Sequence, residues 1–164
     1  MELLDALLDS WDRNNKILLG LLSVVPDDAF EARALDDTMT IHRMFTHIHY
    51  CRAIFTFENA PEIVPTRPSW KEITAESDRA RIAAMLNESA QQVREAVRTR
   101  IESGRQFDDA YDHPLLFIQH MIWHEGYHHG QIKLALKRVG RLPDDKTMGP
   151  VSWDFWDLRS SRVE

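Results

Sequence analysis

Four long stretches of the chain repeat their apolar residues with the period of an α-helix. They cover about residues 2–24, 40–58, 75–103 and 114–139. Proline or glycine marks several of their ends: Pro26 closes the first, Gly104 follows the third, and Pro114 and Gly140 bound the fourth. Thr40 is a candidate N-cap of the second. No stretch alternates like a β-strand, so we predict an all-α fold.

The connection between the second and third stretches, residues 59–73, holds three prolines within eight residues, Pro61, Pro65 and Pro68. It cannot be helix interior, but it carries apolar side chains such as Trp70 and is predicted to be ordered. Such a long connection lets the second and third helices run parallel. We therefore predict a four-helix bundle in up-down-down-up order, with residues 1–164 as a single domain.

Two asparagines interrupt the first helical pattern, Asn14 and Asn15. A solvated helix face is the simplest interpretation. Asn15 falls on the apolar stripe, however, so a polar cavity inside the bundle is an alternative for that residue.

The composition excludes several classes of protein. A net charge of −6 without a basic run argues against nucleic-acid binding. Cys51 is the only cysteine, so no internal disulfide forms and a reducing compartment is indicated. The N-terminus lacks the positive charge of a signal peptide, and no apolar run reaches the length of a membrane span. We expect a cytoplasmic protein with no membrane or nucleic-acid partner.

Three histidines of the fourth stretch share one helix face, His120, His124 and His128. Residues four apart lie one above the other, so the imidazoles of such a pair can grip one metal ion. His120 and His128 are separated by a rise of about 12 Å, too far for one ion at metal–nitrogen distances of about 2.0–2.1 Å. The usable pair is His124 with His128, or His120 with His124.

A third ligand must come from another helix, and the second stretch offers His47 beside its apolar stripe. His49, two positions on, faces the opposite way and is interpreted as a surface residue. Three neutral imidazoles with an open position are typical of a catalytic zinc, nickel or iron site. The remaining histidines are interpreted as core or surface groups: His42, His113 and His129.

Other polar residues lie close to this predicted site. His120 is expected to pack next to the ligands, and Gln131, one turn beyond His128, could orient a ligand or bound water. An interhelical hydrogen bond is an equal alternative for Gln131. Cys51 lies one turn after His47 and is interpreted as a small core residue, not as a nucleophile.

Residues 124–128 also spell H-E-x-x-H, the zinc-protease signature in which Glu125 would be the general base. The extended form of that motif requires Gly and His where this chain has Gln131 and Leu134. No glutamate follows until Glu164. The protease is therefore a minor alternative, and Glu125 is expected to point outward or toward a neighbouring helix.

The run from His124 to Ile132 resembles the fourth-helix signature of the DinB/YfiT-like superfamily, in which a histidine pair precedes a basic residue and Gly-Gln. The segment around His47 is similar to that family's first ligand position. The chain departs from the pattern at His129, where arginine is usual, and at Tyr127, where histidine is frequent.

This resemblance implies an up-down-down-up bundle, often a homodimer, with a divalent ion on His47, His124 and His128. Zinc or nickel is the expected metal, with iron or manganese as alternatives. The resemblance further implies a thiol S-transferase, using a low-molecular-weight thiol or other small-molecule substrate, or a hydrolase. A non-catalytic, metal-stabilised dimer or sensor module is the alternative, suggested by the aromatic residues Trp153, Phe155 and Trp156, which could cover the bundle or an interface.

Overall fold

Helices account for the regular structure of the chain in the computed structural model, which describes residues 2–157. The α-helices are α1 (Leu3–Val24), α2 (Ile41–Asn59), α3 (Trp70–Ile73), α4 (Arg79–Ser103), α5 (Pro114–Arg138) and α6 (Asp145–Met148). Two 3-10 turns lie at Asp27–Ala29 and Trp153–Phe155. Residues 2–157 contain no strand, only an isolated bridge between Arg33 and Thr40. The all-α prediction is confirmed.

The sequence located the four long helices but misplaced one start. We predicted α4 from residue 75, whereas it begins at Arg79, because the Asp78 side chain accepts a hydrogen bond from the Arg81 N–H and caps the helix. Gly104 ends α4 in the left-handed conformation, with φ of 67°. The one-turn helix α3 inside the proline-rich connection was not predicted.

The caps of α2 and α5 differ in kind. Thr40 occupies the N-cap position of α2, but its hydroxyl makes no cap bond and instead lies 3.1 Å from His42 Nδ1. On α5, His113 Nδ1 accepts the Leu115 N–H, and Pro114 fills the first helical position.

The four long helices pack against one another around a core that is divided in two. One apolar cluster includes Leu18, Ile48, Leu86 and Ile132, and the other includes Trp11, Val93, Phe117 and Met121. On each helix a buried polar residue falls between the two clusters; these residues, called here the polar layer, are Asn15, Arg52, Ser89 and Glu125. The candidate site lies at this level, because Glu125 directly follows His124.

The segment after α5 returns to α1, as the aromatic residues near the end of the chain predicted. It packs tightly against Gly20, where an added Cβ would clash with the Val151 carbonyl oxygen. Trp153 and Trp156 nevertheless keep more than half of their surface exposed. Within residues 2–157, every helix is too short or too polar to cross a membrane.

Candidate metal centre

Three imidazole nitrogens converge where α2 faces α5. His47 Nε2 lies 3.2 Å from His124 Nε2, which lies 3.1 Å from His128 Nε2. One ligand atom from each residue falls within 4.8 Å of the other two, so the three side chains could hold one metal ion. The structure thus brings together His124 with His128, not His120 with His124.

The spacing of these nitrogens fits a metal ion. Metal–nitrogen bonds of about 2.0–2.1 Å place two ligand nitrogens about 3.3–3.4 Å apart at a tetrahedral angle and about 2.8–3.0 Å apart at a right angle. The separations of 3.1 and 3.2 Å lie between these limits. The two nitrogen pairs that include His124 are therefore already at separations that metal ligands adopt.

The three imidazoles are held in the neutral form that a metal requires. Burial, and then the neighbouring His128, lower the pKa of His47 to about 4. Burial, and then His128 and His47, lower the pKa of His124 to about 3. Burial also lowers the pKa of His128. At neutral pH each ring therefore keeps a nitrogen lone pair for a cation.

A short hydrogen-bond chain sets the tautomer of His128. Gln131 Nε2 donates to the Tyr127 hydroxyl at 2.9 Å, so Gln131 Oε1 faces His128 Nδ1 at 2.8 Å and accepts its proton. His128 Nε2 then carries the lone pair, directed into the cluster. This contact is compatible with one of the two roles predicted for Gln131, that of orienting a ligand.

Two further groups border the cluster without joining it. Cys51 Sγ lies 3.6 Å from His47 Nε2 but outside the set of atoms that could share one ion. Burial, and then Glu125, raise the pKa of the Cys51 thiol to about 12, so it stays protonated. His120 Nδ1 lies 2.7 Å from the Tyr111 hydroxyl, and the His120 ring packs 6.4 Å from the ring of His124.

A buried ion pair directly beneath the cluster was missed from the sequence. Arg52 Nε and Nη2 donate to the two carboxylate oxygens of Glu125 at 2.5 and 2.7 Å, and both side chains are 1% exposed. Arg52 Nη1 donates to Asn15 Oδ1 and to the Leu86 carbonyl. Asn14 donates to Glu125. The solvated face proposed for Asn14 and the outward alternative for Glu125 are wrong, whereas Asn15 does line a polar interior.

This ion pair argues against the protease interpretation of H-E-x-x-H. A general base must reach a water on the ion, but both oxygens of Glu125 are engaged by Arg52 inside the bundle. Glu125 therefore acts as a buried anchor between α5 and α2.

Among the other histidines, His49 departs from its prediction. His49 is buried, not at the surface, because α2 packs against α4 on that side and His49 Nδ1 lies 2.7 Å from the Met85 carbonyl. His42 is also buried, near Glu31. His129 is half-buried, and burial followed by Lys133 lowers its pKa to about 4.

Two clefts adjoin the three histidines. One, of about 280 Å³, has His128 in its wall, and its other walls are formed by Ala34, Asp37, Thr38, Met39, Met44, Tyr127 and Gln131. The other, of about 480 Å³, lies beyond Trp70, whose ring meets that of His47 edge-on at 5.5 Å.

Comparison with known proteins identifies one family. The model of a family described as the DinB family matches residues 1–149, which include the whole histidine cluster and all six helices. Among curated proteins and solved structures, none matches the chain.

Proposed function

Since the chain belongs to the DinB family, we propose that it is a divalent-metal-dependent enzyme of the thiol S-transferase or hydrolase type. Its metal ligands are His47, His124 and His128. The observation that carries this proposal is the convergence of three neutral imidazoles, with His124 Nε2 lying 3.2 Å from His47 Nε2 and 3.1 Å from His128 Nε2, and with one ligand atom from each residue within 4.8 Å of the other two. Zinc or nickel suits an all-imidazole set best, with iron or manganese as alternatives.

The residues around the cluster support a catalytic and not a purely structural centre. Three protein ligands leave a position for a water or substrate, which is typical of catalytic zinc sites, whereas structural sites use four. Cys51 is the nearest further donor and remains a protonated thiol outside the cluster. A bound divalent ion supplies Lewis acidity, which lowers the pKa of a thiol or water at that position.

The nucleophile in this proposal comes from outside the chain. Cys51 is buried with its pKa raised to about 12, and Glu125 is bound by Arg52. An external thiol gives S-transfer and an external water gives hydrolysis. The cleft of about 280 Å³ beside His128 has room for a small substrate, and Met39 and Met44 offer it an apolar wall.

Metal analysis of the purified protein tests the centre. We expect about one divalent ion per chain, lost in His124→Ala and retained in the matched variant His120→Ala, since His120 lies one turn away outside the cluster. Equal metal content in His124→Ala would refute the ligand set. The zinc- or nickel-loaded protein should turn over thiol conjugates or simple esters and amides; no turnover of either would refute the enzymatic part.

A metal-stabilised homodimer without catalysis is the second candidate. It is favoured by an apolar stripe on the outside of α5, where Trp123 and Tyr127 are 69% and 56% exposed and stack on each other. Leu116 and Leu134 continue the stripe. Light scattering of the wild type and of Trp123→Ser tests the dimer. A metal centre without exchangeable water would favour this module over the enzyme.

We also infer the up-down-down-up order of a single four-helix domain. Trp11 of α1 contacts Ala90, while Arg79 at the start of α4 reaches Leu22 near the end of α1, which supports antiparallel packing. Arg52 contacts Leu86, and Arg100 contacts Asn59, which supports a parallel α2 and α4. The unpaired Cys51 fits the reducing cytoplasm.

A further inference from the structure

The cleft of about 480 Å³ beside Trp70 is lined by residues of three elements. They are Glu31, Arg33, Thr40, His42, Arg43, Trp70, Lys71, Thr74 and Ala75. Three of these side chains are cationic and one is acidic, in a chain whose net charge is −6. The balance of charge in this cleft is therefore opposite to that of the protein.

Arg33 and Arg43 stand apart from the other arginines of the described chain. Every other arginine within residues 2–157 has a carboxylate oxygen within 4.0 Å. Arg33 donates only to the Thr38 carbonyl, and no acid of residues 2–157 lies within ion-pair distance of Arg43. Both arginines without a carboxylate partner line the same cleft.

The acidic side chain of the cleft forms an ion pair with neither arginine. Glu31 Oε1 instead lies 3.1 Å from His42 Nδ1. The first two N–H groups of α2 already donate to the Ala32 and Phe30 carbonyls, so the cationic side chains and not the helix N-terminus would bind an anion. Two guanidinium groups without a carboxylate partner in one cleft match the charge of an oxyanion, and their planar donors suit its paired oxygens.

The cleft shares a wall with the candidate metal centre. The Trp70 ring lies against Tyr50 at 5.0 Å and against His47 at 5.5 Å, and it also lines the cleft. We propose that this cleft binds the carboxylate or phosphate group of a small anionic ligand through Arg33 and Arg43. The part of this proposal in which the ligand also reaches the three histidines rests on the proposed metal centre; anion binding itself does not.

The test of anion binding uses metal-free protein, so that the probe cannot bind an ion. Inorganic phosphate and succinate are titrated at low ionic strength, with isothermal calorimetry and tryptophan fluorescence as readouts. We expect saturable binding that is weakened roughly tenfold in Arg43→Gln, because one charge-assisted contact is lost. The Arg43 side chain makes no internal ion pair, so this variant should fold normally. Arg33→Gln provides a second measurement.

Arg67→Gln is the matched control, since Arg67 is 64% exposed, lies 3.5 Å from Glu58 and is not part of the cleft. Its affinity for the probes should equal that of the wild type. Absence of saturable binding to the wild type, or equal affinities in Arg43→Gln and Arg67→Gln, would overturn the proposal. Tighter binding of phosphate than of succinate, or the reverse, identifies which oxyanion the cleft prefers.

A second pair of probes separates this proposal from that of the metal centre. Zinc-loaded protein should bind mercaptosuccinate more tightly than the neutral thiol 2-mercaptoethanol, and Arg43→Gln should reduce this preference roughly tenfold. No preference in the wild type would refute the link between cleft and histidines. If His124→Ala loses its metal but still binds phosphate, anion binding by the cleft does not depend on the metal centre.

Discussion

Removing one partner of the Arg52–Glu125 pair should destabilise the protein far more than removing both. Arg52→Met leaves the Glu125 carboxylate without its partner, and Glu125→Leu leaves the Arg52 guanidinium without its partner. Each of these side chains is 1% exposed in the native protein. Breaking a buried pair in this way costs about 3–5 kcal/mol, because an uncompensated charge remains inside. The double variant retains no charge and loses the hydrogen bonds to Asn14, Asn15 and the Leu86 carbonyl.

The magnitudes separate the buried pair from an ordinary surface contact. The double variant should lose about 1–3 kcal/mol for its unsatisfied amides, well below the sum of the single variants. Arg98→Met, in the exposed pair with Glu95, should change the free energy of unfolding very little, because water screens that pair. A domain of this size has a free energy of unfolding of about 5–15 kcal/mol, so the loss expected for Glu125→Leu can be enough to prevent folding. In that case the isosteric variant Glu125→Gln replaces it.

Urea unfolding of the metal-free protein, followed by circular dichroism at neutral pH, measures these free energies. Single substitutions at Arg52 and Glu125 that cost no more than Arg98→Met would refute the reasoning. So would effects of the two single variants that simply add in the double variant, because additivity would mean that the charges do not depend on each other.

Four further predictions concern the ligand histidines and the helix packing. Since burial lowers the pKa of all three ligand histidines, to about 4 for His47 and about 3 for His124, cobalt affinity measured by absorbance should begin to fall at a lower pH than that of an exposed histidine site, which weakens near about pH 6.5; a loss of affinity at that same pH would contradict the burial of the ligands. For the same reason the unfolded chain binds protons first, so the free energy of unfolding of the metal-free protein should decrease as the pH falls from about 6.5 to about 4; a flat profile would contradict the lowered pKa values. Gln131→Leu should weaken metal binding by about 10- to 100-fold by releasing the His128 tautomer, and unchanged affinity in the same titration would contradict that role. Gly20→Ala should lower the melting temperature, because its Cβ would clash with backbone, while Gly126→Ala, with open space around it, should stabilise α5 by about 0.5–1 kcal/mol.

The sequence predicted the helices and the histidine pair because both depend on local rules. Proline and glycine mark helix ends through their backbone properties alone, which is why Gly104 and Pro114 lie where they were expected. The late start of α4 also had a local signal, the capping side chain of Asp78. His124 and His128 share a face in any α-helix, so their spacing predicts a common ligand point.

The polar layer could not be predicted in the same way, because a charged residue on a helix is normally assigned to the solvent side. The pairing of Arg52 with Glu125 depends on how α2 and α5 are rotated relative to each other, which local patterns do not determine. A signal was nevertheless present. Asn15 lies on the apolar stripe between Trp11 and Leu18, and Arg52 lies on the stripe of α2. When polar residues interrupt the apolar stripes of two helices at the same level of the bundle, they indicate a shared buried network.

The buried pair should also act on the metal centre, and the sign of the effect distinguishes electrostatics from packing. The Arg52 charge is close enough to help lower the pKa of His124, so it opposes any cation held there, and Glu125 offsets it. Glu125→Gln removes the offset and should weaken cobalt binding on the order of tenfold, whereas Arg52→Met leaves the carboxylate and should bind cobalt at least as tightly as the wild type. Both variants are destabilised, so a purely structural role would weaken binding in both. Equal losses of cobalt affinity would therefore show that the pair only holds α5 against α2.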